Sequence, residues 1–124
     1  MGNQPLKGFA RLRAAYANSM TGFRDIWRGE EAFRIEFIAF VLSVPAAFWV
    51  GQNAIMIALL IISVLLLVIV EILNSAVEAA IDRIGPERHE LSRQAKDYGS
   101  LAVLLATLIP GILWIAALYT KFCS

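Results

Sequence analysis

The chain is predicted to be an all-helical membrane protein, with three transmembrane helices following an N-terminal amphipathic helix. Three observations predict it. Hydrophobic residues make up 59% of the 124-residue sequence. No charged residue occurs from Phe37 through Val70, and none from Ser100 through Thr120. A mean hydropathy of +0.67 is too apolar for an ordinary soluble domain. A soluble core helix rarely needs more than about 14 uninterrupted apolar residues, whereas a bilayer demands about 20, at roughly 1.5 Å each.

The whole chain reads as one membrane domain. Before the first span, Leu6, Phe9, Leu12, Tyr16, Met20, Phe23 and Trp27 recur every three or four residues, so they form one stripe of a helix over about residues 5–28. Lys7, Arg11, Asn18 and Asp25 occupy the opposite side. Such a helix is expected to lie in the headgroup plane, either as a plain anchor or as part of a substrate site. The first charge-free stretch is long enough for two spans, and Gly51-Gln52-Asn53 divides it. The expected spans are therefore residues 32–50, residues 54–84 including a cytoplasmic extension, and residues 99–119. Pro45 and Pro110 fall inside spans, where neighbouring groups re-satisfy the backbone. Gly85 is expected to cap the second span in the left-handed conformation, with Pro86 preventing its continuation. Ser92 is expected to cap the next helix.

Lys7, Arg11, Arg13, Arg24, Arg28 and Arg34 surround the start of the first span, and Arg83, Arg88, Arg93 and Lys96 lie between the second and third. The positive-inside rule places both segments in the cytoplasm, which puts the N-terminus inside and the C-terminus outside. No cleavable signal peptide is expected, because the first thirty residues contain no compact apolar run. The single cysteine, Cys123, cannot form an internal disulfide. With a formal net charge of only +1, no nucleic-acid partner is expected.

The chemistry is concentrated in Glu71-Ile-Leu-Asn74-Ser75-Ala-Val-Glu78-Ala-Ala-Ile-Asp82-Arg83, which continues the second span without a helix breaker. At about 100° per residue, Glu71, Asn74, Ser75, Glu78 and Asp82 fall within about a third of the helix circumference. Glu71 abuts apolar sequence at the hydrocarbon boundary, where an ionised carboxylate is expensive unless paired or functional. That placement suits a general base acting on a hydroxyl at the membrane surface. Glu78, two turns nearer the cytoplasm, suits a hard, oxygen-seeking ion such as Mg²⁺. The bland alternative is polar glue between helices, which five aligned polar groups fit poorly. Arg93, Lys96, Asp97 and Ser100 share one side of the third span's entrance, and Lys96 is suited to hold phosphate as a point charge. Topology signalling is the bland alternative, which explains Arg93 and Lys96 but does not require Asp97 beside them. His89, with no Cys or second His nearby, is expected to be a solvated loop residue. Glu30, Glu31 and Glu36 add carboxylates at the same depth. Neither a Walker A sequence nor the H-R-D and D-F-G elements of protein kinases occurs. Spacing alone leaves the reaction open.

The same residues resemble a known family. The run E-I-L-N-S-A-V-E-A-A-I-D-R from Glu71 to Arg83, then H-E-L-S-R-Q-A-K-D-Y-G-S from His89 to Ser100, and Glu30-Glu31-Ala32-Phe33-Arg34-Ile35-Glu36 upstream are similar to the signature of the bacterial diacylglycerol kinases. The resemblance covers nearly the whole chain, from about Phe9 to the end of the third span. It implies a homotrimeric, MgATP-dependent inner-membrane enzyme that converts diacylglycerol to phosphatidic acid. By that resemblance Glu71 is the catalytic base and also touches substrate, and Glu78 and Glu30 are the Mg²⁺ carboxylates. Nucleotide contacts are implied for Arg11, Asn18, Asn74, Asp82, Glu87, Arg88, His89, Lys96 and Asp97, together with Glu30 and Glu78. Lipid contacts are implied for Arg11, Ser19, Arg24, Trp27, Ala32, Arg34, Glu36, Ser100 and Trp114. Asn18 and Met20 stand where the family pattern leads one to expect aromatic residues. Two further readings are an undecaprenol kinase, which would share the phosphoryl-transfer residues, and a small proton-coupled transporter, which would need neither Lys96 and Asp97 nor the acidic extension.

Overall fold

A computed structural model describes residues 5–123 as four helices. They are α1 (Gly8–Gly29), α2 (Glu31–Val50), α3 (Ala54–Ile84) and α4 (Glu90–Cys123). Three of them, α2, α3 and α4, are long and apolar enough to cross a membrane.

Local chemistry accounts for each boundary. Between α1 and α2 the backbone breaks at Glu30, with φ −126° and ψ 107°, yet its N–H still reaches the Ile26 carbonyl at 2.9 Å. α2 stops at Gly51, where a Cβ would come within 2.6 Å of Ile57 Cγ1 and 2.9 Å of the Ala47 carbonyl oxygen. Only glycine fits that turn. Asn53 then caps α3 by accepting the Met56 N–H at 2.9 Å. At the other end Gly85 takes φ 146° and ψ 167°. This is not the left-handed cap that the sequence predicts but an extended region open essentially to glycine alone. The start of α4 also differs from expectation. The helix begins at Glu90, because the His89 ring accepts the Leu91 N–H at 3.1 Å through Nδ1. Ser92 is thereby left inside the first turn, and His89 performs the capping expected of it.

The transmembrane helices pack in chain order, with α3 in the middle. Asp82 meets Lys96, Asn74 meets Gly99, and Leu60 meets Trp114, so residue numbers fall along α4 as they rise along α3. Those two helices are antiparallel, as the short Gly85–His89 connection requires. Ala47, Val50, Leu60 and Ala117 form a buried cluster at one end, flanked by Trp114, whose indole N–H donates to the Leu60 carbonyl at 3.3 Å. Lys121 closes that end by donating to the Trp49 carbonyl at 3.0 Å while lying over the Trp49 ring. Elsewhere the outward faces of the spans remain apolar: Leu42, Ile62, Leu104, Ile112 and Ile115 are all exposed. Such surface is a liability in water, but hydrocarbon solvates it.

Helix length sets the depth of the polar residues. The 31 residues of α3 extend about 46 Å at 1.5 Å each, against a hydrocarbon core of about 30 Å. Glu71, seventeen residues beyond Ala54, lies about 26 Å from the start of α3. α3 is thus longer than one span of that thickness needs, and Glu71 falls near the end of a span's length counted from Ala54.

Candidate functional site

Along α3 the acidic stripe passes from the protein interior to its surface. Glu71 is 6% exposed, Asn74, Ser75 and Glu78 are half-buried, and Asp82 is exposed. One helix face therefore joins a buried carboxylate to the exposed end of α3.

Around Glu71 the structure gathers the other carboxylates. Glu36 of α2 is a neighbour of Glu71, and Glu78 and Glu30 also lie near it. Glu36 Oε2 is buried without a hydrogen-bond partner. Asn74 Nδ2 donates to Glu78 Oε1 at 3.2 Å, one turn along α3. Among the described residues, no group of three or more His, Cys, Asp or Glu side chains is arranged as a metal cage. Mg²⁺ does not require one, since it commonly takes one or two carboxylates plus substrate phosphates and waters. Glu30 and Glu78, both half-buried and both oxygen donors beside Glu71, fit that limited demand.

A second polar cluster occupies the aqueous tip. Lys96 donates to Asp82 at 3.0 Å across α3 and α4. Arg93 Nη1 donates to Asp97 at 2.7 Å, and the Arg93 guanidinium also pairs with Glu90. Lys96 and Asp82 are 46% and 70% exposed along their side chains, and exposed pairs of this kind contribute about 0–1 kcal/mol. Glu87, Arg88 and His89 border a cavity of about 310 Å³ against Ile81 and Ile84 at the same end.

The joint between α1 and α2 bounds the site on its third side. Phe23, Trp27, Phe33 and Phe37 pack ring against ring with centroids 5.0–6.4 Å apart. Arg34 Nη1 donates to the Trp27 carbonyl at 2.7 Å and to the Arg28 carbonyl at 3.4 Å. The guanidinium thus caps the C-terminus of α1, where the helix dipole favours a cation. Two openings flank Phe23. One, of about 350 Å³, is lined by Arg24, Trp27, Arg28 and Phe37. The other, of about 340 Å³, lies among Ser19, Gly22, Ile26, Phe33 and Ile72, the last being the neighbour of Glu71.

The site residues expected from sequence thus fall into groups. Glu30, Glu36, Glu71, Asn74 and Glu78 come together, and Asp82, Lys96, Asp97 and Glu87 to His89 share the aqueous end. Ser19, Arg24 and Trp27 line the α1 openings. Ala32 and Ser100 are exposed beside these groups, and Arg11 and Asn18 lie on exposed turns of α1. Trp114 is not brought to the carboxylates: it sits beside Leu60, eleven residues or about 16 Å from Glu71 along α3. The Arg34 cap and the contact between Asn74 and Gly99 were not anticipated. A glycine inside an otherwise helical pattern was the available signal for the second.

Comparison with known proteins adds the family. A family model described as prokaryotic diacylglycerol kinase matches residues 17–118. A diacylglycerol kinase of Escherichia coli K12 is 50% identical over 115 residues, covering 93% of this chain and 94% of its own. One from Haemophilus influenzae is 45% identical over 107 residues, covering 86% and 91%. One from Pseudomonas aeruginosa is 41% identical over 121 residues, covering 92% and 95%.

Proposed function

The chain belongs to the prokaryotic diacylglycerol kinase family, and from that membership and the site we propose how its residues divide the work of an ATP-dependent lipid kinase. The reaction is phosphorylation of diacylglycerol to phosphatidic acid by an integral membrane enzyme. Neither the undecaprenol kinase nor the transporter reading is favoured by these relatives. The observation that carries the residue assignment is the continuous polar face of α3, from buried Glu71 to the exposed Asp82–Lys96 pair.

Glu71 acts as the general base. It takes the proton from the lipid hydroxyl as that oxygen bonds to the γ-phosphorus of ATP; the bond from that phosphorus to the β,γ-bridging oxygen breaks, and ADP leaves. Lys96 holds nucleotide phosphate after exchanging Asp82 for it. Asp97, Arg11, Asn18, Asn74, Asp82 and the loop Glu87 to His89 complete the nucleotide side. Glu30 and Glu78 are the residues that would hold Mg²⁺, which in phosphoryl transfer neutralises charge on the phosphates. Phosphoryl transfer needs positioning and charge neutralisation more than covalent machinery, so a few side chains on packed helices suffice.

The lipid enters from the bilayer through the openings beside Phe23. Ser19, Arg24, Trp27, Ala32, Arg34, Glu36 and Ser100 border its head region, and Trp114 lies within the length of an acyl tail. α1 rests as an amphipathic helix in the headgroup plane, supported by the apolar stripe from Leu6 to Trp27. The N-terminus is cytoplasmic and the C-terminus lies on the outer side, as the distribution of Lys and Arg supports. The working unit is a homotrimer. Purified protein in detergent micelles, supplied with ATP, Mg²⁺ and diacylglycerol, should produce phosphatidic acid at a rate well above that with undecaprenol. Equal or preferential phosphorylation of undecaprenol would reject the acceptor assignment.

A further inference from the structure

Gly99 lies on the face of α4 that meets α3. Its backbone does not need glycine, since positive φ among the described residues is confined to Gly8 and Gly85. In a helix interior glycine is also less favourable than alanine. The reason lies across the interface: a Cβ built on Gly99 overlaps Asn74 Oδ1, with Asn74 Cγ at 3.2 Å and Cβ at 3.9 Å. Gly111, farther along the same helix, has nothing within 4 Å of such a Cβ. The missing side chain is therefore a notch matched to one carboxamide.

We propose that Gly99 is a positioning residue of the phosphoryl-transfer site: its notch seats the Asn74 carboxamide, which from that seat holds Glu78. The carboxamide has little freedom to yield. Its Oδ1 is buried and has no hydrogen-bond partner, while Nδ2 donates to Glu78 Oε1 at 3.2 Å. Oxygen and nitrogen share one rigid plane, so displacing Oδ1 from the notch also moves Nδ2 from Glu78. The oxygen is left without a conventional donor because it lies against the bare α-carbon of Gly99, where a weak Cα–H contact is the available compensation. A glycine on one helix thereby sets the orientation of a carboxylate on another.

This inference rests on the reading of Glu78 as a metal-holding residue, and the test separates the two. Wild type, Gly99→Ala, Asn74→Ala, the double variant and Glu78→Gln are compared in micelles with a non-hydrolysable ATP analogue. Mn²⁺ binding is followed by the electron paramagnetic resonance signal of the free ion, and stability by thermal unfolding. Gly99→Ala should weaken Mn²⁺ binding about fivefold, the worth of one ordinary hydrogen bond, and lower the melting temperature. In the Asn74→Ala background the same change should leave Mn²⁺ binding unaltered and no longer lower the melting temperature, because nothing remains to collide with. If Gly99→Ala cannot be purified folded, the double variant should be. Additive losses in the double variant, or its failure to fold, would overturn the proposal. So would wild-type Mn²⁺ binding by Gly99→Ala while Glu78→Gln binds weakly. Unchanged binding in Glu78→Gln would reject the metal reading itself, and the notch would then be purely structural.

Discussion

Glu71 is the one carboxylate buried among the described residues, and its position decides how a single substitution should read. Replacing it by glutamine keeps the shape and one acceptor oxygen while removing the charge and the ability to accept a proton. Glu71→Gln should therefore fold and bind ATP much as the parent does, yet turn over about 10²- to 10⁴-fold more slowly, the usual contribution of general-base catalysis. Steady-state kinetics at varied ATP check this; near-normal turnover would remove Glu71 from the base role. The residues of this stripe were readable before the fold because helical periodicity aligns them. Asn74 and Glu78, four residues apart, are neighbours on any α-helix. Glu36 approaching Glu71 is a different matter: those residues lie on separate helices, and only the α2–α3 packing brings them together.

At the scale of elements, the joint between α1 and α2 is a one-residue break, with helix interrupted at Glu30 and resumed at Glu31. Aromatic packing and the Arg34 cap hold it. A hydrogen bond from a charged donor contributes about 1.5–3 kcal/mol, so Arg34→Met should loosen the last turn of α1. Amide hydrogen exchange over Ile26 to Glu30 should accelerate about tenfold or more, with exchange in α3 unchanged. Arg34→Lys should restore part of the protection through its ammonium. Equal protection in Arg34→Met and the parent would show that the rings alone fix the joint. Sequence pattern found both helices but had no access to this cap, because Arg34 reaches back seven residues across a break, outside the i to i+4 spacing by which helical neighbours are recognised.

For the whole molecule, topology and assembly each have a direct test. Cys123 is the chain's sole cysteine and is exposed, so it reports the side on which α4 ends. In cells whose outer permeability barrier has been removed, a membrane-impermeant maleimide should label Cys123 without lysis. Labelling only after lysis would invert the proposed orientation. Assembly is tested by mixing. Lys96 pairs with Asp82 of its own chain, and Asp82 is eleven residues or about 16 Å along α3 from Glu71. That distance leaves room for a site completed by Glu71 of another protomer. If sites are shared in this way, inactive Glu71→Gln and Lys96→Ala protomers should regain activity in mixed oligomers. No recovery despite verified subunit exchange would assign both residues of a site to one chain.

Residue order alone determined the membrane character, the three spans and the acidic stripe, since each follows from the spacing of charged and apolar residues along a helix and needs no knowledge of neighbours. The turn at Gly51 to Asn53 was legible for the same reason. Tertiary structure decided which side chains meet across helices. It seated Asn74 against Gly99, directed Arg34 to the Trp27 carbonyl, and placed Trp114 beside Leu60 rather than beside the carboxylates. The cap of α4 fell on His89 rather than Ser92 for a local reason, the contact of the His89 ring with the Leu91 N–H. The physical reason is that helical periodicity specifies a direction around one axis, while contact between helices depends on their rotation and axial register. Those are set jointly by packing along the entire length of both helices.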